Sequence, residues 1–270
     1  KKVVLADQLA PVVDQAFSGE QTTTLSAVVG AVAFAGQIYG DFSGYTDIAR
    51  GSSRLLGIEL VENFREPYLS LSITQFWRRW HMSLSQWLRD YLYIPLGGNR
   101  GSRLATSRNL MITMLLGGLW HGAAWTFVVW GGLHGLYLLV ERLLGIDHRR
   151  WTWWQRPFAL VWTFSLVLFA WVFFRSADIQ SAWDYLGGLA NWGAWDLPAG
   201  EWIWFLIAVV GLILHYLNRP HLHRDSVVQR PVAFGLAAGV AIVAIVVVSG
   251  GYSVPVIYFQ FCPVHRTGTI

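Results

Sequence analysis

Two histidines lie in aromatic, apolar stretches of the sequence where an imidazole is suited to proton transfer. His121 follows Trp120 within a run of leucines, glycines and alanines, and His81 follows Trp80. An ionisable side chain in an apolar run is costly and marks a candidate functional site. A neutral imidazole accepts a proton near neutral pH, so His121 is predicted to act as a general base. The alternative is a core histidine that shares hydrogen bonds with a neighbouring helix.

The composition places these histidines in a membrane protein. Of the 270 residues, 54% are apolar and 13% are charged, whereas about 25% of an ordinary soluble domain is charged. The 16 Trp, 15 Phe and 10 Tyr residues fit aromatic belts at the membrane interfaces. The net charge of +4 comes from basic residues between apolar runs, as in cytoplasmic loops. We therefore predict a lipid bilayer, and no nucleic acid, as a partner.

Stretches without Asp, Glu, Lys or Arg predict the transmembrane helices, each of which needs about 20 residues. Single spans are predicted at residues 21–40, 157–174 and 202–218 and at the start of 231–265. Residues 109–140 differ, because their 32 residues are too many for one straight helix and too few for two full ones with a turn.

The charges of the loops predict how residues 109–140 enter the membrane. The basic loops 97–108 and 141–156 are both expected in the cytoplasm, so the stretch must leave and re-enter on one side as a pair of short helices. If the first begins near Asn109, His121 lies about 18 Å deep in a core of about 30 Å. Broken backbone at that depth is tolerated only inside protein or along a cavity, and this cavity is where we expect the function.

Residues 72–93 predict one amphipathic helix that lies in the membrane interface. Its aromatic and aliphatic stripe contains Ile73, Phe76, Trp77, Trp80, Leu84, Trp87, Leu88 and Tyr91. His81 falls at the border of this stripe, where it either reaches inward or lies in the headgroup layer. Arg78 and Arg79 lie off the stripe, and either lipid phosphates or an anionic substrate would suit them.

Two acids follow the first predicted span. Asp41 and Asp47 lie in a stretch with several hydroxyl groups, and either carboxylate could orient a histidine. Capping of the next helix is the favoured interpretation.

The remaining histidines do not predict a metal centre. The close histidine clusters of membrane di-iron enzymes and the HExxH motif are both absent, so we predict no metal ligands. His134 is thirteen residues from His121, and we expect it to pack in the core; a position near the other mouth of the cavity is the alternative.

Four sequence runs closely resemble the membrane-bound O-acyltransferases. They are Gln37–Ala49 (QIYGDFSGYTDIA), Glu62–Tyr68 (ENFREPY), Ile73–Gly101 (ITQFWRRWHMSLSQWLRDYLYIPLGGNRG) and the segment from Arg108 to Ala123 that ends in GGLWHGA. The similarity is dense from Lys1 to Leu144, and Val256–Phe261 (VIYFQF) is similar too.

The resemblance implies an all-α, multi-pass membrane fold of tilted and broken helices around a central tunnel. Residues 1–270 would form a single domain of this type that lacks the amino-terminal helices of the longer family members. His121 corresponds to the essential histidine of the family, and His81 corresponds to the second motif histidine.

The same resemblance implies an O-acyltransferase of the bacterial inner membrane. It would move acetyl groups from cytoplasmic acetyl-CoA to hydroxyls of an extracytoplasmic polysaccharide, such as alginate or a similar exopolysaccharide. His121 would take the proton of the attacking hydroxyl, and His81 would position the donor or the other imidazole. Independently of the resemblance, we expect Arg78 and Arg79 to attract the anionic CoA by charge and Trp120 to contact substrate. We expect acetyl-CoA as donor, no bound cofactor, and a periplasmic acetyltransferase or acetylesterase-like partner protein.

Two alternatives remain open at this stage. The same fold could transfer D-alanyl groups, or acylate peptidoglycan or cellulose. A broken helix around a midplane histidine also describes a proton-coupled secondary transporter, although such carriers show two interrupted segments and this sequence shows one.

Overall fold

In the computed structural model, the described residues are 1–18, 23–146 and 151–192, with Leu206 and Val209. All regular structure in these ranges is helical, as the sequence predicts. The helices are α1 (Asp7–Ala16), α2 (Thr24–Leu55), α3 (Ile73–Trp77), α4 (Met82–Leu88), α5 (Arg103–His121), α6 (Trp125–Leu143), α7 (Arg156–Arg175) and α8 (Ile179–Gly187). Shorter helical turns cover Lys2–Ala6, Pro67–Leu69, Arg89–Tyr93 and Gly188–Ala190.

Two helices in the described part of the chain are long and apolar enough to cross a membrane. They are α2, with 32 residues, and α7, with 20. They correspond to the predicted spans 21–40 and 157–174, and together with the composition they indicate a membrane protein. The predicted spans 202–218 and 231–265 lie outside the described residues, apart from Leu206 and Val209.

The described residues form two compact units. The first contains Lys1–Tyr45 and the described residues from Gly188 onward, and the second contains Thr46–Gly187. In the first unit, the ammonium group of Lys2 lies 2.8 Å from Asp7 and 3.0 Å from Asp41, so one cation neutralises two buried carboxylates.

The prediction that Asp41 or Asp47 caps a helix is wrong. Both lie inside α2, which continues fifteen residues beyond the predicted end at Gly40. The ion pair with Lys2 offsets the cost of burying the Asp41 carboxylate. Asp47 is exposed and carries no such cost.

The centre of the second unit is an antiparallel hairpin of α5 and α6, broken at Gly122–Ala124. This confirms the predicted pair of helices, but the helices are not short. Each has 19 residues, or about 28 Å at 1.5 Å per residue, because they extend into the flanking basic loops. The basic loops therefore meet at one end of the hairpin, where Arg142 donates a hydrogen bond to Asn99 (2.9 Å).

Small residues allow α5 and α6 to approach closely. A β-carbon on Gly118 would overlap the carbonyl oxygen of Phe127, and one on Gly131 would overlap the carbonyl oxygen of Met114. Gly131 also begins a Gly-x-x-x-Gly pattern, which is typical of close helix contacts in membranes. Contact at backbone distance fixes the register of the hairpin.

The single amphipathic helix predicted for residues 72–93 is wrong. The chain forms α3, a break at Arg78–His81, α4 and a π-helical turn. His81 has the left-handed backbone angles φ 42° and ψ 55°, which a continuous helix cannot contain. Of the predicted stripe, Ile73, Phe76, Trp80, Leu84 and Leu88 are buried, whereas Trp87 and Tyr91 are exposed.

A carboxylate from α6 caps the start of α3. The Glu141 side chain accepts hydrogen bonds from the backbone N–H groups of Ile73 and Thr74 and from the Thr74 hydroxyl. Ser72 adds an ordinary N-cap, since its hydroxyl accepts from the backbone N–H of Gln75 (3.1 Å). A helix of five residues is too short to be stable alone, so these contacts anchor α3 to the hairpin.

We predict that Gly131→Ala destabilises the protein by about 1–3 kcal/mol, because the added methyl group has no room at the contact of α5 and α6. Gly132→Ala is the matched control, since its β-carbon would meet Leu115 at an ordinary 3.5 Å. Thermal unfolding of the two purified variants in detergent measures the difference. Equal unfolding temperatures would contradict the account of the contact.

We predict that Glu141→Ala loosens α3, because three donors lose their acceptor. Hydrogen–deuterium exchange should become about tenfold faster at the amides of Ile73 and Thr74, equivalent to about 1.4 kcal/mol, and stay unchanged in α7. Arg142→Ala is the control, since this neighbouring side chain bonds only the exposed Asn99 among the described hydrogen bonds. Equal protection in Glu141→Ala and the wild type would refute the capping role.

Candidate active site

His81 is held in its unusual conformation by the preceding loop. The Asn63 side-chain oxygen accepts from the backbone N–H (3.1 Å) and the hydroxyl (2.6 Å) of Ser83. The Asn63 carbonyl accepts from the backbone N–H of Met82 (3.0 Å). These bonds hold the first turn of α4 directly after His81. The position of the imidazole therefore depends on the left-handed backbone of His81 and not on its place on the face of a helix.

The His81 imidazole is buried by surrounding side chains, as an inward position requires. Its Nδ1 atom lies 3.4 Å from the Ser83 hydroxyl. Burial lowers the pKa of His81 to about 4, because a charged imidazole would lose its hydration. The side chain is therefore uncharged at neutral pH.

His121 is the last residue of α5, at the tip of the hairpin. Three rings surround its half-buried imidazole at centroid distances of 5.0–5.2 Å: Trp120, Trp130 and Phe174. Because α5 begins at Arg103 rather than near Asn109, His121 lies about 27 Å along the helix instead of 18 Å. Its midplane depth and the central tunnel stay predictions.

Trp120 lies between the two candidate catalytic histidines. Its ring centroid is 6.3 Å from that of His81 and 5.0 Å from that of His121. The indole is 57% exposed. Two imidazoles that are forty residues apart in the sequence thus lie beside one exposed aromatic side chain.

The structure separates the two arginines that the sequence places side by side. Arg79 turns back toward the preceding loop, where its guanidinium donates to the carbonyl of Glu66 (3.4 Å). Arg78 is exposed and lines a cleft of about 280 Å³. Of the pair, Arg78 is therefore the side chain positioned to meet an anionic ligand.

A second arginine, which the sequence analysis missed, lines the same cleft. Arg89 follows α4 and bonds the Asp90 carboxylate at 2.7 and 3.1 Å. The polar lining is completed by Thr74, Ser85 and Gln86. A smaller, apolar cavity has a volume of about 180 Å³. Four residues line both this cavity and the cleft: Trp77, Ser85, Arg89 and Leu138. Helical spacing could not signal this pairing, because the chain between Arg78 and Arg89 is broken before α4.

His134 is fully buried, as its predicted role in core packing requires, but it does not lie apart from His121. The Trp130 ring is 5.2 Å from the His121 ring and 5.0 Å from the His134 ring, so one indole contacts both imidazoles. The position of His134 relative to the mouths of the cavity stays a prediction. Trp77 donates a hydrogen bond from Nε1 to His134 Nδ1 (3.2 Å).

Within the described ranges, no three side chains of His, Cys, Asp or Glu come close enough to hold a metal ion. The chemistry available in this part of the molecule is that of neutral imidazoles, indole N–H donors and two arginines.

Comparison with known proteins places the candidate site inside a recognised family domain. The model of the membrane-bound O-acyltransferase family matches residues 21–183, which include every site residue described above. The protein named "Probable alginate O-acetylase AlgI" from Azotobacter vinelandii is 52% identical over 197 residues, which cover 73% of this chain and 39% of that protein.

Two further relatives carry other acyl-transfer names. The peptidoglycan O-acetyltransferase of Helicobacter pylori is 45% identical over 71% of this chain and 37% of its own length. The teichoic acid D-alanyltransferase of Bacillus subtilis is 33% identical over 51% of this chain and 38% of its own length. The chain spans about two fifths of the length of these curated relatives. With a family model that matches more than half of its residues, the chain belongs to the membrane-bound O-acyltransferase family.

Proposed function

We propose that this chain carries the acyl-transfer centre of a multi-pass enzyme of the bacterial inner membrane. The enzyme moves acetyl groups from cytoplasmic acetyl-CoA to hydroxyls of an extracytoplasmic polysaccharide. The main support for this proposal is that the His81 and His121 rings both lie close to the exposed Trp120 indole. The acetylase names of the most similar relatives support the reaction, and identities of about 50% to several alginate O-acetylases favour alginate or a similar exopolysaccharide.

His121 is proposed as the general base. Its imidazole takes the proton of the acceptor hydroxyl while the hydroxyl oxygen attacks the carbonyl carbon of the acetyl thioester. The carbon–sulfur bond then breaks, and the imidazolium returns the proton to the leaving thiolate. The surrounding aromatic rings exclude water, which would otherwise compete with the hydroxyl as a nucleophile.

His81 is proposed as the group that positions the donor or the His121 ring. Its pKa of about 4 keeps it neutral, so it offers one N–H donor and one acceptor without repelling a protonated His121. Positioning of this kind can supply a large part of a rate enhancement, because it removes the entropy cost of bringing the groups together.

The cleft lined by Arg78 and Arg89 is proposed as the entry for the donor. Acetyl-CoA carries several phosphate charges, and the exposed guanidinium of Arg78 beside a polar wall provides complementary charge, whereas the charge of Arg89 is shared with Asp90. Acetyl-CoA is a substrate in this scheme rather than a bound cofactor. The acceptor hydroxyl belongs to the sugar or to a serine of a periplasmic acetylesterase-like partner.

A second candidate function keeps the same centre and changes the acyl group or the acceptor. The relatives named for peptidoglycan acetylation and for D-alanyl transfer to teichoic acid support this alternative. Neighbouring genes distinguish the two, because alginate polymerisation genes favour the first and a D-alanine carrier protein favours the second.

We predict that His121→Ala in the whole protein abolishes acetylation of the polysaccharide, because removal of a general base costs about 10²–10⁴-fold in rate. His81→Ala should also cause a large loss. Leu119→Ala, an exposed neighbour on α5, is the control and should retain activity. Acetate on the purified polymer is measured after membrane insertion of each variant has been verified. Wild-type acetate content in His121→Ala would disprove the base assignment.

We predict that Arg78→Ala raises the KM for acetyl-CoA about tenfold, since a charged hydrogen bond contributes about 1.5–3 kcal/mol to binding. Arg79→Ala is the matched control, because its guanidinium is directed at Glu66 and should leave the KM near the wild-type value. Steady-state kinetics with varied acetyl-CoA provide the measurement. An unchanged KM in Arg78→Ala would indicate lipid contact instead of donor binding.

A further inference from the structure

Two buried N–H groups beside His121 have no hydrogen-bond acceptor in the part of the chain that the structure describes. They are Nε1 of Trp130 and Nε2 of His134. Both side chains are fully buried, at 1% and 0% exposure. They come from the same helix, α6, one turn apart, and their rings are 5.0 Å from each other.

The hydrogen bond from Trp77 defines the tautomer of His134. Trp77 donates its Nε1–H to Nδ1 of His134, so Nδ1 is the acceptor nitrogen. A neutral imidazole carries one proton, which must then lie on Nε2. His134 therefore presents a donor at the nitrogen that lacks a partner, as Trp130 does.

Leaving these donors unsatisfied is costly. A buried donor without an acceptor destabilises the fold, and most buried polar groups in proteins do have partners. The rings that contact this pair offer no acceptor oxygen: Phe76, Trp77, Trp171 and Phe174. The pair instead suits an acceptor oxygen that is present only when a ligand is bound.

We propose that Trp130 Nε1–H and His134 Nε2–H bind the carbonyl oxygen of the acetyl thioester and stabilise the negative charge that this oxygen gains in the reaction. The inference rests on the proposed function, because it assigns two further groups to the same centre. The position fits, since the Trp130 ring contacts the His121 ring at 5.2 Å and the rings are perpendicular (89°).

Acetyl transfer proceeds by addition to the thioester carbonyl followed by loss of the thiolate. The hydroxyl oxygen forms a bond to the carbonyl carbon as His121 takes its proton, and the carbonyl π electrons move to oxygen. The two N–H groups donate to this oxyanion. When its electron pair forms the carbonyl again, the carbon–sulfur bond breaks, the thiolate takes the proton from His121, and the acetyl ester leaves.

Neutral donors in apolar surroundings suit this purpose. They bind an uncharged carbonyl weakly and an oxyanion strongly, so most of their effect appears in the transition state. Because the rings are packed tightly, no reorganisation is needed when the charge develops. The donors should therefore affect kcat far more than KM.

The test measures kcat and KM for acetyl-CoA with the purified whole protein and its polymer acceptor. Trp130→Phe removes one donor and keeps a ring. His134→Asn keeps an acceptor for Trp77 but has no N–H at the Nε2 position, whereas His134→Gln can place an amide N–H there. Trp80→Phe is the control, since Trp80 is a buried indole in the same aromatic cluster. Thermal unfolding verifies that each variant folds.

We expect kcat to fall about 10²–10³-fold in Trp130→Phe and in His134→Asn with little change in KM. His134→Gln should recover at least tenfold over His134→Asn, and Trp80→Phe should behave as the wild type. The inference is overturned by a wild-type kcat in folded Trp130→Phe and His134→Asn, or by equal kcat values in the two His134 variants. His121→Ala in the same assay reports separately on the proposed function, and a wild-type protein that transfers no acetyl would overturn both.

Discussion

The backbone contact between α5 and α6 determines the positions of the groups at the candidate site. At Gly118 and Gly131 there is no room for a β-carbon on either helix, so the hairpin has one register. That register places His121 at the tip of α5 against Trp130 of α6, and it aligns Trp130 and His134 along one face. A shift by one residue would turn these rings away from each other, because successive residues on a helix are 100° apart.

The second constraint is the attachment of the short α3–α4 segment to this hairpin. Glu141 of α6 caps α3, and the indole of Trp77 donates to His134 of α6, so two side chains of α6 hold the same segment. The left-handed residue His81 then directs its own side chain toward Trp120. The segment carries both Arg78 of the cleft and His81, which is why small changes in it should reach both donor binding and chemistry.

Much of this arrangement could be predicted from the sequence, and the failures have identifiable physical causes. Apolar runs and glycines predicted the broken hairpin, and the cost of burying an imidazole pointed to His121. The break before α4 was missed because a single left-handed residue leaves the spacing of apolar positions almost unchanged. Asp41 was misassigned because its partner, Lys2, is distant in the sequence. The sequence could not separate Arg78 from Arg79 because neighbours at the end of a helix can point in opposite directions, and Arg89 was missed because its cleft forms only when the segment folds.

The central claim is that acetyl-CoA reaches His121 from one side of the membrane and that the acceptor hydroxyl reaches it from the other. It is tested most directly with the whole protein in sealed vesicles, with labelled acetyl-CoA on the cytoplasmic side and polysaccharide and partner protein on the opposite side. The account predicts that label crosses to the polymer in the wild type and not in His121→Ala. Equal transfer by the two proteins, or transfer only when donor and acceptor share a side, would contradict it.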